Sequence, residues 1–126
     1  MAFGDIGGPV TELILTCRTP ESGVVAIRKG DALKLIGDYT VTNEGAVGDP
    51  VFGQALTDCT RNSATVSVRV RGVCEFAVLG MAPQPNGATG VVMSGTAGVV
   101  RAPSVGAGRG IVLRAIPDRE SVDVLI

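Results

Sequence analysis

The sequence predicts an all-β protein, and three observations support this. The hydrophobic content of 45% comes mainly from valine, alanine, leucine and isoleucine, with only 3% aromatic residues. Eighteen glycines and seven prolines separate short apolar segments with turns. Helical periodicity is almost absent, because the best candidate, residues 31–37, is short and reads equally well as a strand. We expect a compact β-barrel or β-tulip-like domain over residues 11–126, preceded by an extended, flexible N-terminal arm of residues 1–10.

Residues 64–79 carry the clearest strand pattern. Every second residue from Val66 to Val78 is apolar, apart from Gly72. The alternate positions hold Ser67, Arg69, Arg71 and Glu75. This period of two directs the apolar set to a core and the polar set to water or a partner. Gly72 keeps the phase, and it predicts a bend where one long strand turns a barrel corner.

The other strands follow from short apolar runs between turn residues. Residues 51–58 are the expected antiparallel partner of the long strand. Hairpins are predicted around 37–38, 94–98 and 117–120, and residues 11–17 also have β character. Roughly eight short strands without a dividing linker indicate one barrel or sandwich domain. The loops 81–89 and 102–110 are either contact surfaces or solvated connections.

The side chains offer little chemistry for catalysis. The chain has no histidine, which removes the common nucleophile–base pairs and histidine metal sites. Five aspartates adjoin turn residues, where they bond local backbone: Asp5, Asp31, Asp38, Asp49 and Asp58. The glycines of 106–110 lack the lysine and following helix of a phosphate loop. We therefore expect no enzyme, no cofactor and no metal site.

The three cysteines and the net charge argue against further classes of site and partner. No C-x-x-C spacing occurs; Cys74 is predicted to be a buried thiol, whereas Cys59 lies among turn residues and could be exposed. A net charge of −1 without a basic run argues against nucleic acid as a partner.

With no signal peptide and no long apolar run, we expect a soluble protein made in the cytoplasm with no membrane partner. A core of small side chains favours an oligomer.

Four short motifs give the chain a resemblance to a known family. They are Gly48-Asp49-Pro50-Val51, Gly53-Gln54-Ala55, Ala64-Thr65-Val66-Ser67-Val68 and Gly72-Val73-Cys74-Glu75-Phe76. Together they resemble the small capsid cement, or head decoration, proteins of tailed phages, whose members are often labelled recombinase-like. The resemblance runs from about Gly30 to the C-terminus. The hairpin at 118–120 and the segment 121–126 extend past that family's usual closing strand.

The resemblance implies a virion protein on the outer surface of the expanded head. It would sit between capsomers, typically as a homotrimer, with the major capsid protein as its partner and no catalytic residues. The arm side chains expected to bind the capsid are Phe3, Asp5, Ile6 and Val10. Possible subunit or capsid contacts are Arg69, Arg71 and Glu75, although solvation explains these three equally well.

Two alternatives stay open. One is a carbohydrate- or receptor-binding module on a virion or cell surface, against which stands the scarcity of aromatic rings for stacking on sugars. The other is a histidine-free hydrolase or nucleotide-binding trimer, which would need aspartate and arginine clustered in a cleft between subunits.

Overall fold

The computed structural model describes residues 12–85 and 90–126, and this part of the chain is all-β with one short 3₁₀ turn, as predicted. The expected arm, residues 1–10, lies outside the described residues, as do Thr11 and 86–89. The strands are β1 Leu13–Arg18, β2 Ala32–Gly37, β3 Thr40–Thr42, β4 Gly53–Ala55, β5 Thr65–Arg71, β6 Val73–Ala77, β7 Val92–Met93, β8 Val100–Arg101, β9 Ile111–Ile116 and β10 Ser121–Leu125.

The first five strands close into a barrel in the order β1-β3-β2-β4-β5, so the predicted barrel is confirmed. β5 runs antiparallel to both β4 and β1, which confirms the partner predicted for the long strand. A five-stranded barrel is narrow, so small side chains fill it. Its core comprises Cys17, Val25, Ile27, Leu33, Val41, Ala55, Cys59, Val66, Val68 and Val70.

Two backbones approach closely inside this barrel at Gly53. A side-chain carbon placed there would lie 2.5 Å from the Arg69 carbonyl oxygen and 2.7 Å from Val68 Cγ1. Glycine therefore lets β4 lie directly against β5, which gives the Gly53-Gln54-Ala55 segment a packing reason.

The long predicted strand is in fact two strands. The alternation is confirmed, since Val66, Val68, Cys74 and Phe76 are all buried. However, β5 belongs to the barrel, whereas β6 belongs to a separate three-stranded sheet of order β6-β10-β9. Gly72 makes the corner between them at φ +126°, in a region that other residues rarely adopt. The corner was predicted, but the change of sheet was not.

A second core lies beside the barrel. The three-stranded sheet and the β7–β8 hairpin enclose it, and both hairpins that build it, β7–β8 and β9–β10, were predicted. Its members are Ala32, Val51, Cys74, Phe76, Val78, Val91, Met93, Val100, Val112, Val122, Val124 and Ile126. Phe76 is the one aromatic side chain of this core and is fully buried.

The glycine-rich segment 106–110 fastens the two cores together. The Arg109 guanidinium donates hydrogen bonds to the carbonyl oxygens of Phe52 (3.3 Å) and Val70 (2.8 Å) on the barrel. Gly110 has φ +79°, and a side-chain carbon there would lie 2.5 Å from the Leu125 carbonyl oxygen. Strand β9 follows at once. Gly108 and Gly110 thus serve close packing of backbone, in line with the interpretation of this segment as a loop.

Candidate functional surfaces

The structure separates the three strand residues that the sequence grouped as contacts. Arg69 turns back across Gly72 and is only 26% exposed as a side chain. Its guanidinium bonds the Glu12 carboxylate, the Gln54 amide oxygen (3.2 Å) and the Val73 carbonyl (3.4 Å). Arg69 therefore holds the corner between the two sheets together, and its donors already have acceptors within the chain.

Gln54 completes this corner and was not identified from the sequence. Its amide nitrogen donates to the Glu75 carbonyl at 2.7 Å and to the Gly30 carbonyl at 3.3 Å. Together, Gln54 and Arg69 satisfy two carbonyls on the outer edge of β6, which reduces the tendency of that edge to pair with another chain. Gln54 is only 5% exposed. The one signal of its role in the sequence is a long polar side chain between two small residues, Gly53 and Ala55.

Glu75 and Arg71 remain on the surface, but they differ in their partners. The Glu75 carboxylate accepts hydrogen bonds from Arg119 at 3.0 Å and from the Ser121 hydroxyl at 3.2 Å. Exposed pairs of this kind contribute about 1 kcal/mol at most. Arg71 is exposed and makes no hydrogen bond to the rest of the described chain. Of the three, Arg71 is the residue with donors to offer a partner.

The outer face of the three-stranded sheet combines an ion pair with apolar side chains. Arg114 on β9 binds Asp123 on β10 through Nε (3.0 Å) and Nη2 (2.8 Å). Beside this pair, Ile111, Leu113 and Leu125 are 43–45% exposed. A bulge in the β9–β10 ladder falls next to Leu113, and it leaves this side chain out of the paired register.

Strand β9 forms an open edge of that sheet. Its six residues pair with β10 on one side, and within residues 12–85 and 90–126 no backbone group pairs with its other side. No lysine or proline interrupts the strand. Open edges with apolar side chains are where sheets add a strand from another chain. This edge contrasts with β6, whose carbonyls are satisfied by Gln54 and Arg69.

A second open surface is one end of the barrel, here called the barrel mouth. Leu15 pairs with Val68, and Leu35 pairs with Val41, so both leucines point to the barrel interior. Phe52 packs against the same core. Leu35 is nevertheless 46% exposed, because the β2–β3 hairpin ends before it covers this end of the barrel.

The hairpin turn forms the rim of the mouth. Gly37, Asp38 and Tyr39 line, together with the three interior side chains, a cavity of about 540 Å³. Tyr39 has φ +50° and is 68% exposed. Its carbonyl accepts a 2.7 Å hydrogen bond from the Arg18 amide, next to the single register pair between β1 and β3. Among the residues that the structure describes, none pairs with the earlier residues of β1 on this edge, which lies beside the apolar cavity.

The loop predicted to begin at Met81 borders a third concave surface. Its cavity of about 490 Å³ lies between Leu79, Met81 and the end of β9 at Ile116. Met81 is 88% exposed. Both interpretations of the loop 81–89, as a contact surface or as a solvated connection, stay predictions.

The titratable groups serve structural bonds. Asp49 accepts hydrogen bonds from Lys34 Nζ (2.6 Å) and the Ala46 amide (2.9 Å), and the Lys34 bond is the main cause that lowers the pKa of this carboxyl. Burial raises the pKa of the Cys17 and Cys74 thiols. Cys74 is buried as predicted. Cys59 is buried too, contrary to the exposure considered for it, because its backbone pairs with Ile27.

Among the described residues, no group of three histidine, cysteine, aspartate or glutamate side chains is placed to hold a metal ion. In the same part of the chain, no helix has the length and apolarity to cross a membrane.

Neither a protein-family model nor a curated protein matches the chain. The corner, the open β9 edge and the barrel mouth are the surface features that bear on function.

Proposed function

We propose that this protein is a virion structural protein: a capsid decoration protein that binds the outside of an expanded phage head between capsomers and stabilises it. The observation that supports the proposal best is the open apolar edge of β9 in the three-stranded sheet, whose other edge strand, β6, is protected. A strand edge left open beside Ile111 and Leu113 supports an adhesive role. The motif resemblance described above points the same way.

Self-association is the first step of the proposed mechanism. The β9 edge and the exposed side chains of Leu113 and Leu125 are the surface we assign to contacts between copies. Both cores consist mainly of small side chains, so burial between subunits adds apolar area that the monomer lacks. We propose a homotrimer, with Arg71 available for subunit or capsid contacts.

The N-terminal arm is the second step. We propose that Phe3, Asp5, Ile6 and Val10 contact the major capsid protein, with the arm added as a strand to a capsid sheet edge. Ordering such a segment costs about 1–2 kcal/mol per residue, so one arm binds weakly. Three arms on one trimer raise the apparent affinity by roughly 10²- to 10⁴-fold when all engage.

Stabilisation of the shell follows by mass action. The binding site exists only on the assembled, expanded head, so occupancy favours that state over disassembled subunits. The proposed location is therefore the outer capsid surface, after synthesis in the host cytoplasm. In this proposal the protein uses neither nucleic acid nor a membrane as a partner.

Sedimentation of purified protein with expanded heads tests the proposal. Wild type should pellet with the heads, and deletion of residues 2–8 should reduce its occupancy strongly. Leu113→Asp should disrupt self-association and lower occupancy through lost avidity. Val24→Asp is the matched control, since Val24 is 86% exposed on a loop and should bind as wild type does. Undiminished binding by the deletion variant would remove the arm from the mechanism.

The alternative is a carbohydrate- or receptor-binding module, and one observation favours it. Tyr39, the only tyrosine, presents an exposed ring beside the mouth cavity and Asp38, and an aromatic ring with a neighbouring carboxylate is a common arrangement for binding sugars. A glycan array would show binding that Tyr39→Ala abolishes. Equal signals for the two proteins would eliminate the alternative.

A further inference from the structure

We infer that the barrel mouth is a binding site for the chain's own N-terminal segment, residues 2–10, in the same molecule. The mouth holds three interior side chains, Leu15, Leu35 and Phe52, around a cavity of about 540 Å³. Interior positions of a barrel are normally covered, so an open apolar end of this size indicates a binding site.

The point where the described chain begins selects that occupant. Glu12 precedes β1 at the same end of the barrel, and it bonds Arg69 beside Gly72. The preceding segment therefore starts next to the mouth. It contains apolar side chains at positions 3, 6 and 10, with consecutive glycines at 7 and 8 that allow the chain to reverse direction.

The N-terminal segment is long enough, and attached closely enough, to reach the barrel mouth. Phe3 lies nine positions before Glu12, and an extended chain over nine steps reaches about 30 Å. The opening of a five-stranded barrel is on the order of 10 Å across. A tethered segment meets its site at an effective concentration on the order of millimolar, which favours closure within one molecule over exchange with a second copy.

The edge of β1 opposite β5 adds backbone complementarity, since within the described part of the chain it is paired only at Arg18. Residues 13–17 pair with β5 on one side, whereas the β1–β3 pairing is limited to Arg18 and Thr40. An extended segment laid along this edge gains main-chain hydrogen bonds while its apolar side chains enter the cavity. The mouth thus offers both parts of a site for strand addition.

A single tryptophan tests the inference in the isolated protein. The chain has no tryptophan, so Phe3→Trp introduces a unique indole. We expect its emission to lie at shorter wavelength than that of a free indole amide and to resist acrylamide quenching. Adding Leu35→Asp at the mouth should shift the emission to longer wavelength. Val24→Asp, at an exposed loop position that does not line the mouth, is the matched control and should leave it unchanged.

The following outcomes would overturn the inference. If the indole of the Phe3→Trp variant is solvent-exposed, the mouth does not bind the segment. The same conclusion follows if Leu35→Asp leaves the emission of this indole unchanged. An emission shift that disappears on dilution would assign the site to a second copy. The fluorescence of Tyr39, the sole tyrosine, gives a second measurement. Deleting residues 2–10 should increase its quenching by acrylamide, and unchanged quenching would contradict binding of the segment at the mouth.

One consequence rests on the proposed function. The segment must leave the mouth to bind the capsid, so the apparent affinity for heads equals the intrinsic affinity multiplied by the fraction of molecules whose segment has left the mouth. Leu35→Asp should then bind expanded heads more tightly than wild type, whereas Phe3→Asp should bind them less tightly. The emission experiment contains no heads, so its failure and a failure to bind heads are separate results.

Discussion

Replacing Arg69 by leucine is expected to lower the free energy of unfolding by about 2 kcal/mol, whereas the same change at Arg71 should alter it by less than about 0.5 kcal/mol. The two arginines lie two positions apart on β5 and share one face in the sequence pattern. Their environments differ, because Arg69 bonds three acceptors across the corner and Arg71 is exposed.

The magnitude follows from the individual bonds. Leucine keeps an apolar stem over Gly72 but removes every donor. The bond to the Glu12 carboxylate is partly exposed, so its loss counts as that of a surface pair, up to about 1 kcal/mol. The Gln54 amide oxygen and the Val73 carbonyl lose donors at 3.2 and 3.4 Å. These longer bonds together contribute about 1 kcal/mol.

Urea unfolding measures the difference. Both variants and wild type should unfold with the same dependence of free energy on urea concentration, so that a shift of midpoint reports stability alone. The two arginine variants carry the same change of charge, which makes each the control for the other. Equal stability of the two variants would refute the role assigned to Arg69 at the corner.

Three further predictions concern the acid limb, the close approach of β4 to β5, and the thiols. The pKa of Asp49 is lowered by the hydrogen bond from Lys34, so its stabilisation is present above about pH 4 and is lost as pH falls through the folded pKa. The stability difference between wild type and Asp49→Asn should therefore shrink on acidification, and a pH-independent difference in urea midpoints would contradict this. Gly53→Ala should destabilise the protein by about 1–3 kcal/mol because its new carbon meets β5 backbone, whereas Gly37→Ala has open contacts; equal thermal midpoints would contradict the packing. A disulfide reagent at neutral pH should label Cys74 only as fast as the protein unfolds, and rapid labelling of the native protein would show that the thiol is not buried.

The strand pattern was predictable wherever one face of a strand is buried. The alternation from Val66 to Val78 predicted the strand residues of both β5 and β6, as one long strand. Gly72 between them predicted the corner. The division into two sheets was not predictable, because the alternation continues in phase through Gly72. Which sheet a strand joins depends on partners distant in sequence, such as β10 for β6.

The candidate surfaces show the same limit. Arg69 and Arg71 look alike in sequence, and only the fold brings Glu12 and Gln54 to the first of them. Leu35 lies in an apolar run before the predicted hairpin turn, and it faces the barrel interior. Its exposure arises because the β2–β3 hairpin is short, and hairpin length relative to neighbouring strands does not follow from periodicity. The open β9 edge was likewise not predictable, since pairing on its second side depends on the whole sheet.

Electron microscopy of expanded heads, with and without the purified protein, tests the central claim of a capsid decoration role most directly. The account predicts added density of the size of this barrel on the outer surface between capsomers, in clusters of three copies, with a connection to the capsid from the N-terminal end of each barrel. Heads that gain no external density at saturating protein would contradict it, as would density confined to the inside of the shell.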